Sequence, residues 1–195
     1  MKTSFTSFDY EFPVSEQIPR SFEVLFRQKV GRFPLFLPEV EISIAGRTIG
    51  DTLTDNSYSN DGYRFHDVFH FSYAAYLGWS PLTRKLLGVK RKSKPIVDIV
   101  EDGARAGIIE EAISQIVFSH AERRNFYEGV VKVDQALLGI IRDLVAGREV
   151  AILPASRWEE AILGGFSAWR DIREHEGGIL SVDLDNRILE VRRLP

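Results

Sequence analysis

Two of the four histidines stand four residues apart, with a carboxylate next to the first. They are His66, Asp67 and His70, in the stretch YRFHDVFHFSY from Tyr63 to Tyr73. Imidazole and carboxylate are side chains that ligate metals and move protons. The stretch contains no proline and runs through Leu77 to Gly78, so it reads as one helix with a glycine stop. At about 100° per residue the two histidines fall about 40° apart, and Asp67 about 100° from His66. All three can look into one space. Tyr63, Tyr73 and Leu77 share that face, so it is a buried or half-buried one, where polar groups need partners. Either the two rings bond backbone carbonyls as a core pair, or they form a metal or acid/base site.

A second charged cluster lies between Asp98 and His120. Read as one helix, Ile108, Ile109, Ala112, Ile113, Ile116 and Val117 form an apolar stripe. Continued backward, the wheel puts Glu101, Asp102 and Arg105 on the same stripe. Charges there must be paired or bound to something. Glu110 lies at the stripe's edge, about 80° from Asp102, with Glu111 beside it. On this register Arg105 is expected to orient Asp102, or Asp67 across the helix pair, with Glu101 alongside. Between the two clusters Lys90, Arg91, Lys92 and Lys94 make the most basic run of the chain. It reads as a solvated loop or as an electropositive rim for a phosphate group.

The elements that would carry these residues are set by local pattern. An extended arm is expected over residues 1–20, packed by Phe5, Phe8, Tyr10 and Phe12. SFEVLFRQKV (21–30) fits a short helix or a strand equally. Pro34 and Pro38 interrupt the next stretch. EVEISIAGRTIG (39–50) alternates around Ala45-Gly46 and predicts a hairpin. Ser80-Pro81 starts a short helix that ends at Gly88. Further helices are expected over 131–146 and from a Ser156 cap to about Arg173. A hairpin over 178–193 turns at Asp185-Asn186. The expected fold is mainly α: a bundle of four to five helices with small β-hairpins near both termini. It forms one domain over 1–195: arm and hairpin 1–50, helical core 60–173, C-terminal hairpin 178–193.

Composition narrows the chemistry. The 195 residues are 44% hydrophobic and 27% charged, an ordinary globular balance. A net charge of -3 gives no general pull toward nucleic acid or membrane. The absence of cysteine excludes disulfides and thiolate metal sites and favours a cytoplasmic protein. Met1 to Pro13 does not read as a signal peptide, and no apolar run approaches the roughly 20 residues of a membrane span. HExxH, Walker, Rossmann and nucleophile-elbow motifs are all missing. What remains is histidine and carboxylate on helices beside a basic run. Oxygen ligands suit Mg²⁺ or Mn²⁺ near phosphates, and imidazole shifts the choice toward Mn²⁺, Fe or Zn²⁺.

HDVFHFSYAAYLGWSP and, downstream, VEDGARAGIIEEAISQIV resemble the MazG-like branch of the all-α nucleoside triphosphate pyrophosphohydrolases, over about residues 60–120. In that family an ExxE helix and an ExxD helix hold Mg²⁺ over a nucleoside triphosphate, and water attacks to release pyrophosphate. Glu110-Glu111 resembles the start of the first helix and Asp67 the aspartate of the second. The departures are specific. The helix order is reversed, Arg64 stands three before Asp67, and Ser114 stands three after Glu111. The resemblance implies a metal-dependent nucleotide pyrophosphohydrolase and a homodimer. The expected catalytic residues are Asp67, His70 and Glu111; the expected Mg²⁺ or Mn²⁺ ligands are Asp67, His66, His70, Glu110, Glu111 and Asp102. Lys90, Arg91 and Lys92 would meet the polyphosphate. Two alternatives stand beside it. One is a three-histidine metal bundle of His66, His70 and His120, similar to the DinB family. The other is a MazG-associated module that keeps the scaffold without the chemistry.

Overall fold

A computed structural model describes residues 7–31 and 36–194. The expectations about Phe5 and Pro34 lie outside these residues. The expected mainly α bundle is corrected by a five-stranded antiparallel sheet, ordered β3-β2-β1-β4-β5. Its strands are β1 (Ser21–Val30), β2 (Pro38–Ile44), β3 (Arg47–Leu53), β4 (Gly177–Asp183) and β5 (Ile188–Arg192). The stretch that fitted helix or strand equally is its centre. β1 pairs with β2 through Leu25 opposite Ser43, and with β4 through Val24 opposite Leu180. The two hairpins expected at opposite ends of the chain are thereby joined into one sheet. The pairing spans more than 150 residues of sequence, and no local pattern encodes it.

One face of the sheet is apolar. Val24 and Phe26 of β1, Val40 and Ile42 of β2, and Leu180 and Val182 of β4 are all buried at 0–1% exposure. Against them lies α1 (Asp67–Leu77), in which every residue but Tyr76 is buried. Phe71 meets Phe22 and Phe26 edge to face, with centroids 6.0 and 6.3 Å apart. On the other side of α1 runs α6 (Ala155–Glu174). Ser72 Oγ donates to the Ala161 carbonyl at 2.6 Å. The approach depends on glycine: a Cβ on Gly164 would lie 2.5 Å from the Tyr76 hydroxyl. A helix enclosed on its long sides has only its first turn in which to show polar groups. That turn holds His66, Asp67 and His70.

The other helices are α2 (Pro81–Leu87), α3 (Pro95–Val100), α4 (Ala104–Glu122) and α5 (Gln135–Leu144). Ser80 caps α2 as expected, accepting from Thr83 N–H at 2.9 Å. The unbroken helix from Asp98 to His120 is corrected. The chain turns at Glu101-Asp102-Gly103, and α4 starts afresh with Gly103 as its N-cap. A wheel drawn through that turn is meaningless. Arg105 is accordingly exposed, while Glu101 and Asp102 are buried. The last helix starts at Ala155, so Ser156 is inside it rather than capping it.

The turn is buried because a charge network holds it there. Asp102 accepts from Arg91 N–H at 2.8 Å and from Arg91 Nη2 at 2.7 Å. Arg91 Nη2 also donates to Glu149 Oε1 at 2.7 Å. Arg84 lies 3.6 Å from Asp102 and donates to Asp9 Oδ2 at 2.8 Å. Asp9 is fully buried and accepts further from Ser7, Ile18 N–H and Arg20. These contacts tie the residues around 84–102 to the N-terminal segment 7–20 and to Glu149.

Removing one member of such a network leaves its partner buried and uncompensated. Asp9→Asn is expected to cost about 3–5 kcal/mol at pH 7 in urea unfolding. Burial pushes the Asp9 carboxyl up, but Ser7, Arg20, Arg84 and the Ile18 N–H outweigh it and hold it below its usual value. Its stabilisation is therefore complete above the unfolded-state value near 4 and is lost as pH falls through the lower folded value. The gap between parent and Asp9→Asn should narrow as pH drops below 4. A gap that stays constant down to pH 2 contradicts this.

Candidate metal centre

The two histidines of α1 are fixed through their Nδ1 atoms. His66 Nδ1 is 2.9 Å from the Tyr63 carbonyl, and the ring stacks on Tyr63 with centroids 4.4 Å apart and planes 8° apart. A carbonyl only accepts, so Nδ1 carries the proton and donates it. His70 Nδ1 is 3.0 Å from Glu110 Oε1. Each ring thus turns Nε2 away from its anchor. His70 Nε2 lies 3.8 Å from Asp67 Oδ1 and 3.7 Å from Glu111 Oε1. His66 Nε2 lies 3.9 Å from Asp67 Oδ1 and 4.0 Å from Glu111 Oε2. These separations are too long for hydrogen bonds, and they suit ligand atoms that would share one cation.

Among the described residues, His66, Asp67 and His70 form the group able to hold a metal, with ligand atoms within 4.8 Å of one another. Glu111 adds a fourth side chain from α4. It is 47% exposed on its side chain and is the one member open to solvent. His70 Nε2 is buried without a hydrogen-bond partner, the expected condition of an atom whose partner is an ion. Two imidazoles and two carboxylates fit Mn²⁺, Fe²⁺ or Zn²⁺ better than Mg²⁺, which prefers oxygen throughout.

Electrostatics agree. Burial is the largest influence on His70 and lowers its pKa, yet Glu110, Asp67 and Glu111 together raise it to about 9. For His66 burial prevails, helped by the neighbouring His70, and holds it below its ordinary value despite Asp67 and Glu111. Burial also pushes the Tyr63 hydroxyl up, so it stays neutral. The centre therefore attracts positive charge: His66 is neutral and ready to ligate, whereas His70 holds a proton on Nε2 at neutral pH that a metal ion would have to displace.

Glu110, expected as a ligand, is placed behind His70. Its side chain is fully buried, with Oε1 accepting from His70 Nδ1 and from Ser80 Oγ at 2.6 Å, and Oε2 from Leu82 N–H at 2.9 Å. Both oxygens are engaged, so Glu110 orients His70 and does not itself reach the centre. Asp102, also expected as a ligand, is occupied by Arg91. Arg91 is 1% exposed and is a fold residue rather than part of a rim. Glu101 accepts from Glu149 N–H at 3.2 Å. Arg64, where the family motif has glutamate, is buried against Asp55, Asn60 and Gln28. Ser114 donates to the Glu110 carbonyl. His120 bonds the Tyr127 hydroxyl and lies nine residues beyond Glu111, about 13 Å along the helix. The three-histidine set is not brought together.

A cleft of about 450 Å³ between α2 and α4 adjoins the centre, sharing Glu111 as a wall. Lys85 and Lys90 line it; Lys92 is exposed outside it. Sequence reasoning missed Lys85. Its signal is its place four residues after Pro81, on the same face of a capped helix.

One equivalent of Mn²⁺ or Zn²⁺ is expected to bind per chain by calorimetry. His70→Ala should abolish that binding, and Glu110→Gln should weaken it roughly 10- to 100-fold. His120→Ala should leave it unchanged; equal affinities across all three variants contradict the assignment.

No curated protein and no solved structure matches the chain. No described helix is long and apolar enough to cross a membrane. The family model of the MazG C-terminal domain matches residues 3–195. The resemblance noted over residues 60–120 is thus upheld as MazG-related, while the sheet sets this fold apart from an all-α one. Matched over nearly its whole length, the chain belongs to the MazG C-terminal domain family.

Proposed function

We propose that the chain is a metal-dependent hydrolase of nucleoside polyphosphates, of the pyrophosphohydrolase kind. The observation that supports this most is the convergence of His66 Nε2, His70 Nε2, Asp67 and Glu111 beside a cleft carrying two lysines. MazG-related membership makes a nucleotide the natural substrate class. A divalent ion, Mn²⁺ by its ligand set and Mg²⁺ as the second choice, would polarise a phosphoryl oxygen and lower the pKa of water. His66, His70 and Asp67 would hold that ion. Glu111, the most exposed of the four side chains, would complete the set on the solvent side. Glu110 keeps His70 in the tautomer that offers Nε2. Tyr63 stacks on the His66 ring and fixes its plane.

A binding module without turnover is the rival reading. What favours it is that Arg64 and Ser114 serve the fold where the family motif has carboxylates. The homodimer implied by the resemblance is part of the proposal; α3 and α4 expose Ile96, Ile99 and Ile108 at 68–69%.

The test is pyrophosphate release from a panel of NTPs and dNTPs with Mn²⁺ or Mg²⁺. Asp67→Ala/Glu111→Ala should lower turnover by about 100-fold or more while the far-ultraviolet dichroism stays that of the parent. Nucleotide binding without turnover in the parent supports the module instead.

A further inference from the structure

We propose that the groove between α5 and α6 is a second binding site, built for a small molecule with an apolar body and one anionic group. It is separate from the metal centre and does not depend on it. The groove encloses about 360 Å³, the size of a small-ligand pocket. Its first signal is Gly139, in the middle of α5. Glycine weakens a helix interior, so its presence there calls for something that needs the space. Three of the four glycines inside the described helices find that need within the chain. A Cβ on Gly107 would meet Leu82 at 3.4 Å, one on Gly164 the Tyr76 hydroxyl at 2.5 Å, and one on Gly165 the Ser72 Oγ at 3.0 Å. A Cβ on Gly139 would meet nothing within 4 Å. The space it leaves open belongs to the groove, not to the packing of the chain.

The polar groups of the groove favour an anion. Trp158 lines it and is 4% exposed, and among the described residues no acceptor meets its indole N–H. That atom is not sealed in the core, as the unpartnered Nε1 of Trp79 is, so it reaches solvent through the groove that its ring lines. Ala155 begins the 20-residue α6 in the same wall, and no side chain caps that helix. Its first N–H groups are available to an anion. The only charged residue lining the groove is Arg142. Its side chain is 79% exposed, with Asp143 at 3.7 Å, too far for a hydrogen bond. No carboxylate faces these donors, and Leu138, Val145 and Leu153 supply apolar wall. Such a set disfavours a cation. It is complementary to a carboxylate carried on a hydrocarbon body.

Octanoate and 4-phenylbutyrate are the probes, with 4-phenylbutanol as the uncharged counterpart. By calorimetry each carboxylate should bind the full chain in a one-to-one ratio, and the alcohol roughly 10-fold more weakly. Arg142→Gln should weaken the carboxylates roughly 10-fold and leave the alcohol unchanged, since it removes a charge-assisted hydrogen bond. Gly139→Leu should abolish binding of all three by filling the groove. It should also melt no lower than the parent, because no atom of the chain needs that glycine. Both variants should keep the parent's Mn²⁺ affinity. Failure of both carboxylates to bind the parent, or equal affinity in the parent and Gly139→Leu, overturns the site. A lower melting temperature in Gly139→Leu also overturns it, because the chain's own packing then accounts for the glycine. Carboxylates and alcohol that bind equally, with no change in Arg142→Gln, overturn the anion preference. A parent that binds the carboxylates and no metal overturns the hydrolase reading and leaves this site standing.

Discussion

The structure of the centre depends on one buried contact, the hydrogen bond from His70 Nδ1 to Glu110. A carboxylate with no exposure is costly unless both of its oxygens are hydrogen-bonded. Glu110 meets that demand with His70, Ser80 and the Leu82 N–H. The same three contacts join α1, the start of α2 and α4 at one point. They also decide which nitrogen of His70 is left over. A ring tied at Nδ1 can offer only Nε2, and Nε2 faces Asp67 and Glu111. The stability of the helix junction and the chemistry of the centre therefore depend on the same carboxylate.

Around that point the polar groups divide by role. Asp9, Arg84, Arg91, Asp102 and Glu149 form a charge network whose members satisfy one another. Such networks hold segments in register and leave nothing for a ligand. His66, Asp67, His70 and Glu111 are the opposite case. They are gathered at distances of 3.7–4.0 Å without completing hydrogen bonds across the gap. Gathering two carboxylates beside two imidazoles in a largely buried place costs energy, which the proton drawn onto His70 offsets in part and a cation bound between them would offset further.

The sequence carried much of this, unevenly. The i, i+4 histidines, the helix ending at Gly78 and the Ser80 cap are local features, and local geometry settled them. The hairpin turns were local too. What could not be read was the strand between them. Phe22, Val24 and Phe26 become a sheet centre only because β4 arrives from the other end of the chain. Arg105 was misplaced because a helical wheel assumes one axis, and the chain turns at Glu101-Asp102-Gly103 before α4 begins. Arg91 looked like part of a solvated rim because its partners Asp102 and Glu149 are 11 and 58 residues away. Glu110 and Glu111, adjacent in sequence, took different duties because helical neighbours point about 100° apart.

Pulsed electron paramagnetic resonance of the Mn²⁺-loaded chain tests the central claim most directly, because it counts nitrogen ligands at the ion. The account predicts couplings from two imidazole nitrogens, with one lost in His66→Gln and one lost in His70→Gln. Bound Mn²⁺ that shows no nitrogen coupling, or couplings unchanged in both variants, would contradict it.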